Sequence, residues 1–214
     1  MGYEESMQEI LQELKESGAR PDLLLHCCCG PCATAVLETL APYFSLTAYY
    51  FNPNIEPAGE YALRAGELER LIHEETGGNT GFLQEPFDPS GFREMARGLE
   101  REPEGGQRCQ ECYRMRLMKT AETAARLGIG WMGTTLSVSP HKDPEKLNRV
   151  GKEAAAAFGV RWLPAEFRKK NRYRRSVELS RQHGMYRQDY CGCLYSRAES
   201  AHRRRVRKNK ETFE

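Results

Sequence analysis

The sequence predicts an α/β fold built on a mostly parallel sheet. Two observations carry this. Short β-branched and aromatic runs alternate along the chain with longer segments of helical periodicity, the pattern of βαβ units. The first apolar run, Leu23–Leu25, leads through His26 into Cys27-Cys28-Cys29-Gly30-Pro31-Cys32, a turn that hands a buried strand over to a helix. The chain has 214 residues, 39% hydrophobic and 29% charged, which fits a single domain with a charged exterior.

The elements follow in order. Residues 1–19 form a surface helix, with Met7, Ile10, Leu11 and Leu14 on one stripe and Gly18 as its stop. Leu23–Cys27 is a buried strand. Gly30-Pro31 turns the chain, and a helix starts near Cys32 and runs through Ala33–Leu40. Phe44–Phe51 is a second strand, ending at Asn52-Pro53-Asn54. Glu60–Thr76 is a helix closed by Gly77-Gly78, Phe82–Phe87 a short strand, and Gly91–Arg101 a short helix. Cys109-Gln110-Glu111-Cys112 opens a helix that reaches Leu127. Gly130–Thr135 is a strand and Leu136–Asp143 its outgoing loop. Pro144–Phe158 is a helix, Val160–Leu163 a strand, Tyr173–His183 a helix, Met185–Cys193 a loop and Leu194–Lys208 a basic helix. The whole reads as one Rossmann-like domain over residues 1–214, with an N-terminal helix at 1–19 and a basic C-terminal helix and tail at 197–214.

No apolar run approaches the ~20 residues of a membrane span, and the start of the chain lacks a signal-peptide pattern, so a cytoplasmic protein with no membrane partner is expected. Cysteines stay reduced there, and clustered ones serve metals or catalysis more often than disulfides. The eight cysteines fall into three groups: Cys27, Cys28, Cys29 and Cys32; Cys109 and Cys112; Cys191 and Cys193. The pair Cys109-x-x-Cys112 at a helix start is a bidentate clip whose thiols the helix dipole favours as thiolates. Two close pairs, Cys28/Cys29 and Cys109/Cys112, supply four thiolates for a zinc ion or an iron–sulfur cubane. Adjacent cysteines on a strand-end loop suit the cubane better than a zinc knuckle. Cys191-Gly192-Cys193 suits either a strained, reducible disulfide or two ligands to a second metal. His26 and His141 are read as hydrogen-bonded structure rather than ligands.

Charge is unevenly spread. Between Phe167 and Lys210 there are fifteen Lys and Arg against three acids, within a chain whose net charge is only +2. Such a segment is either a surface for a phosphate-rich partner or a solvated charged face.

Six motifs occur in one order: His26-Cys-Cys-Cys-Gly-Pro-Cys32, Tyr50-Phe-Asn-Pro-Asn-Ile55, Cys109-x-x-Cys112-Tyr113-x-x-Arg116-Leu117, Thr134-Thr-Leu-x-x-Ser-Pro-His-Lys142, Phe167-Arg168-Lys169 and Tyr186-Arg-Gln-x-Tyr-Cys-Gly-Cys-x-Tyr-Ser196. Together, over Leu23 to Ser196, they resemble the cobalamin-independent epoxyqueuosine reductases. The resemblance implies an adenine-nucleotide-hydrolase-like fold. It also implies a two-electron deoxygenation of epoxyqueuosine to queuosine at the wobble position of tRNA, the last step of queuosine formation. It further implies a [4Fe-4S] cluster with an additional iron beside it. Matched residue by residue, Cys28, Cys29, Cys109 and Cys112 are the expected cluster ligands. Cys191 and Cys193 are the expected catalytic pair, redox-active or bound to the second iron. Cys32 stands where some members carry Asp and joins Cys191 and Cys193 as an expected ligand of that iron. The expected partners are tRNA and an electron donor, with Tyr173 and Tyr186 available to stack on an unpaired base. Two rivals are a sulfur-transfer enzyme on the same fold and a metal-stabilised RNA-binding module. The first would need a glycine- and serine-rich phosphate loop after the first strand, where this chain has Cys-Cys-Cys-Gly-Pro-Cys.

Overall fold

A computed structural model describes residues 2–211, with side chains described as far as residue 207. Five parallel strands form the sheet: β1 (Asp22–His26), β2 (Ser45–Tyr50), β3 (Gly81–Gln84), β4 (Trp131–Thr134) and β5 (Arg161–Trp162). Their spatial order is β3-β2-β1-β4-β5. β1 pairs on one side with β2, Leu23 opposite Leu46, and on the other with β4, Leu23 opposite Trp131. The chain thus winds outward from β1 to one edge, then crosses back to β4 and winds to the other, the doubly wound pattern expected from the sequence.

Helices cover both faces. α1 (Tyr3–Ser17), α2 (Gly30–Leu40) and α3 (Ala58–Thr76) pack on the face reached by Leu23, Leu25 and Trp131. α5 (Gln107–Arg126) and α6 (Pro144–Ala157) pack on the opposite face around Met132. α4 (Ser90–Met95) is a short helix beside α5, and α7 (Arg172–Gln182) lies along α2. α8 (Leu194–Glu211) closes the chain. The expected basic segment 197–214 lies on α8, with residues 212–214 outside the described part. A buried ion pair between Arg172 and Glu4 fastens α7 to α1.

Three elements differ from expectation. α2 begins at Gly30 rather than near Cys32, because Cys29 is already its extended N-cap and Pro31 fits the first turn, where no N–H is needed. The helix expected over 91–101 stops at Met95, ahead of turns through Gly98 at φ 79°. The loop after β4 opens with a 3-10 turn, Thr135–Val138, because the Thr134 hydroxyl accepts from the Leu136 N–H and caps it.

The tight seat of α6 on β5 yields a prediction. A Cβ on Gly151 would lie 2.4 Å from the Trp162 ring, whereas one on Gly66, on the exposed side of α3, meets nothing within 4 Å. Gly151→Ala is expected to destabilise by about 1–3 kcal/mol through overpacking. Gly66→Ala should stabilise by about 0.5–1 kcal/mol through helix propensity. Denaturant midpoints of the two variants check the opposite signs.

Candidate metal centre

In a sheet of this order the crevice opens between the carboxyl ends of β1 and β4, where successive crossovers leave in opposite directions. Two segments emerge there: the cysteine turn after β1, and the run from Thr135 to Lys142 after β4. His26 and Thr134, the last residues of the two strands, are joined side chain to side chain, Nδ1 to Oγ1 at 2.9 Å. Burial pushes the His26 pKa down to about 3, so the ring is neutral. Its Nε2 lies between the Arg116 guanidinium at 3.3 Å and the Phe51 carbonyl at 3.2 Å. His26 is therefore a structural clamp, as read from the sequence, and His141 is exposed on the rim of the crevice.

The first cysteine group divides. Cys27 continues the alternation of Leu23 and Leu25, lies in the core, and donates its thiol to the Leu25 carbonyl at 3.3 Å. Cys28, Cys29 and Cys32 turn the other way, and their sulfurs all lie within 4.8 Å of one another. Cys28 and Cys29 are 3.8 Å apart. Thiol hydrogen bonds from Cys28 and Cys32, with the Arg64 guanidinium nearby, hold Cys29 well below the usual thiol range. The trio can thus offer one thiolate and two thiols without a metal.

The second and third groups meet each other. Cys109 and Cys112, in the first turns of α5, and Cys191 and Cys193, in the loop before α8, line one small cavity of about 10 Å³ together with Asn54, Glu104, Tyr113 and Lys142. Cys109 accepts the Gly105 N–H at 3.2 Å. Arg116 reaches the Cys112 sulfur at 3.8 Å. The Lys142 ammonium stands 3.2 Å from the Cys191 sulfur and 3.4 Å from Glu104. Cys193 is held by Ser196, whose N–H lies 3.4 Å from its sulfur. Gly192 makes this loop feasible: its φ is 127°, and a Cβ there would lie 2.8 Å from Ile55 and 3.1 Å from Arg64. Its carbonyl accepts the Glu56 N–H at 3.1 Å, and Arg64 donates to the Cys191 carbonyl at 2.9 Å. The loop is thereby fixed to the segment after β2.

A larger cavity of about 300 Å³ adjoins the small one. Its walls include Cys28, Cys32 and Cys191. Cys191 and Lys142 line both spaces, so the crevice brings all three cysteine groups to adjoining walls. Asp189 is half exposed on the rim, bonded to Ser200 and Arg204.

The donor set fits a thiophilic metal group. All eight cysteines are free thiols. Burial pushes Cys112 up to about 12 and raises Cys109 and Cys193, so these thiols are protonated at neutral pH unless a metal displaces the proton. The Asn54 Oδ1 beside them is buried without a hydrogen-bond partner. Sequence reasoning did not single out Lys142, Glu104, Arg64 and Asn52 for roles here. Lys142 and Asn52 lay inside quoted motifs, while Glu104 and Arg64 carried no local signal.

Residues 23–199 match the family profile described as "Epoxyqueuosine reductase QueH". The chain belongs to the epoxyqueuosine reductase QueH family. The match contains every cysteine described above. A relative of that name from Streptococcus pyogenes is 39% identical over 92% of this chain and 78% of its own length. One from Staphylococcus epidermidis is 35% identical over 92% and 84%. One from Thermotoga maritima is 30% identical over 83% and 91%. Among the described residues no helix is long and apolar enough to cross a membrane.

The raised thiol pKa values carry a pH prediction. Ligation needs thiolates, whereas the folded metal-free protein holds Cys109, Cys112 and Cys193 protonated, so binding must release protons. Cobalt(II) titrated into anaerobic metal-free protein is expected to bind more tightly as pH rises through the neutral range, with proton release. A pH-independent thiolate-to-cobalt absorption band would contradict the protonated resting state.

Proposed function

We propose that the chain is an epoxyqueuosine reductase acting on tRNA, and that its cysteines hold iron. The observation that carries the second part is the gathering of six cysteines on the walls of two adjoining cavities, with Cys29 beside Cys28 and Cys32, in a protein whose family is named for a reduction. The reaction breaks both carbon–oxygen bonds of the epoxide. Two electrons and two protons enter, and an alkene and water leave.

In this reading Cys28, Cys29, Cys109 and Cys112 hold a [4Fe-4S] cluster. Cys32, Cys191 and Cys193 face a further iron, with Cys191 and Cys193 as the catalytic pair. When bound, such a group supplies electrons and a Lewis-acidic site for the departing oxygen. The chain supplies the remainder. The larger cavity has the size of a small-molecule pocket and accommodates a base splayed out of an RNA loop. Cys191 stands on the wall shared by the two cavities, so a base in the large one meets it directly. Burial opposes the Lys142 charge, but Cys191, Tyr113 and Glu104 outweigh it and keep the ammonium protonated beside that sulfur. Tyr173, at the mouth, is 40% exposed, and Tyr186 nearby is 37% exposed, which suits stacking on a base. Arg174, Arg203 and Arg204 extend outward from α7 and α8 and suit phosphate contacts along an anticodon arm. A tRNA substrate places the enzyme in the cytoplasm, where an electron donor is at hand.

A second division of the cysteines is favoured by the close trio. In it Cys28, Cys29 and Cys32 hold one metal group, and Cys109, Cys112, Cys191 and Cys193 the other.

Anaerobically purified protein should be brown, with about four irons and four sulfides per chain, and slightly more iron if the second site fills. Stoichiometric zinc without sulfide would overturn the iron reading. Cys109→Ser should lose the cluster. Cys191→Ser should keep it yet abolish conversion of epoxyqueuosine to queuosine in tRNA. Loss of iron in Cys191→Ser would favour the second division, and full turnover in both Cys191→Ser and Cys193→Ser would remove the catalytic assignment.

A further inference from the structure

Arg116 is a buried charge that no carboxylate among the described residues pairs with. It is 1% exposed and sits mid-helix on α5, one turn beyond Cys112. Its partners are Asn52 Oδ1 at 2.7 Å, His26 Nε2 at 3.3 Å and the Cys112 sulfur at 3.8 Å. Among the described residues no carboxylate pairs with it. The two neighbouring buried cations differ: Arg64 has Glu60 at 2.7 Å, and Lys142 has Glu104 at 3.4 Å. A guanidinium stays charged at any physiological pH, and a charge taken out of water needs an opposite charge close by. Asn52 cannot supply it, because its amide donates to the Cys27 carbonyl at 2.9 Å while its oxygen serves Arg116. His26 cannot supply it either, since an imidazole is neutral or cationic and never an anion at physiological pH.

Among the described residues that Arg116 touches, the one that can become an anion is the Cys112 thiol. Arg116 touches Cys112 of the small cavity, and through His26 it backs the strand end that carries Cys28 and Cys29. It therefore lies behind both cysteine groups rather than in either cavity, out of reach of a substrate.

We propose that Arg116 is the fixed counter-cation of the thiolate-bound metal group, a positioning residue that sets how readily the group accepts electrons. The proposal rests on the iron–sulfur reading above but on neither division of the cysteines, because Arg116 stands behind both. A metal group held by several thiolates is anionic, and reduction makes it more so. A permanent cation behind it favours the reduced state and raises the potential. The same pairing makes Arg116 costly in the metal-free protein and favourable in the loaded one, so loading should stabilise the fold by more than the metal–sulfur bonds alone.

The test uses the full chain, anaerobically reconstituted with iron and sulfide, and measures two quantities: the midpoint potential, and the rise in unfolding temperature from metal-free to loaded protein. Arg116→Met removes the cation. Asn52→Asp keeps the volume and the arginine and installs the missing carboxylate. Both variants should shift the potential downward and shrink the rise on loading, while Arg116→Lys should keep most of each. A scaffolding role would lower the metal-free and loaded unfolding temperatures equally and leave the potential in place, and that result overturns the proposal. If Arg116→Met does not fold, Asn52→Asp decides alone. Iron and sulfide assays on the unsubstituted protein separate the two failures: without a redox-active iron–sulfur group there, the reading in the previous subsection falls and the proposal with it.

Discussion

The side-by-side pairing of β1 with β4 is the constraint on which the site depends. These two strands leave the sheet in company, and the chain departs from them in different directions, so their carboxyl ends border an open crevice that no helix fills. The His26–Thr134 hydrogen bond fastens the two ends together. From one end come Cys28, Cys29 and Cys32, and from the other the capped turn that leads to Lys142. α5 then presents Cys109 and Cys112 from the β4 side of the sheet, and the loop before α8 lays Cys191 and Cys193 across the top.

Burial gives these cysteines their character. A thiol in a dry interior holds its proton, and a cation in a dry interior lacks water to stabilise it. Both meet here: protonated Cys109, Cys112 and Cys193 at the small cavity, Arg64 and Lys142 on the crevice walls, and Arg116 buried behind them. Each condition is unfavourable by itself, and a thiophilic metal resolves the two together. It would release the protons and leave a thiolate beside Arg116, the one of the three cations without a carboxylate partner among the described residues. The fold is thus electrostatically suited to a thiophilic metal group.

Much of this was legible in the sequence, though unevenly. The alternation of strand and helix patterns gave the doubly wound architecture, since β1 through β5 each follow a helical segment whose apolar stripe is periodic. The cysteine turn marked the carboxyl end of the first strand, which in this topology is where a site belongs. Element edges were less legible. Gly30-Pro31 reads equally well as a turn or as a helix start, and only the extended N-cap at Cys29 decides. Cys27 could have been set apart by period-two spacing, since it shares a face with Leu23 and Leu25. The grouping of cysteines could not be read. Spacing reports which sulfurs are near in sequence, and it is the tertiary packing of α5 against the loop before α8 that brings Cys109 beside Cys191. Arg116 stood inside a recognisable motif, but its lack of a carboxylate is a property of its three-dimensional surroundings.

Glu56 and Arg64 grip the loop at Cys191–Gly192 through main-chain carbonyls, and this has a consequence for how the protein is made. On the ribosome the three thiols at the start of α2 emerge early, and the sheet and α5 can form behind them. The wall that separates the two cavities is added only once Cys191–Cys193 have been synthesised, after all five strands and α5. Until then the crevice lacks that wall. A metal group held from both sides would therefore find its full ligand set only after that loop has docked. A nascent chain that captured metal early would do so with an incomplete set of ligands, and docking of the last loop would then have to displace water or borrowed thiols from that metal.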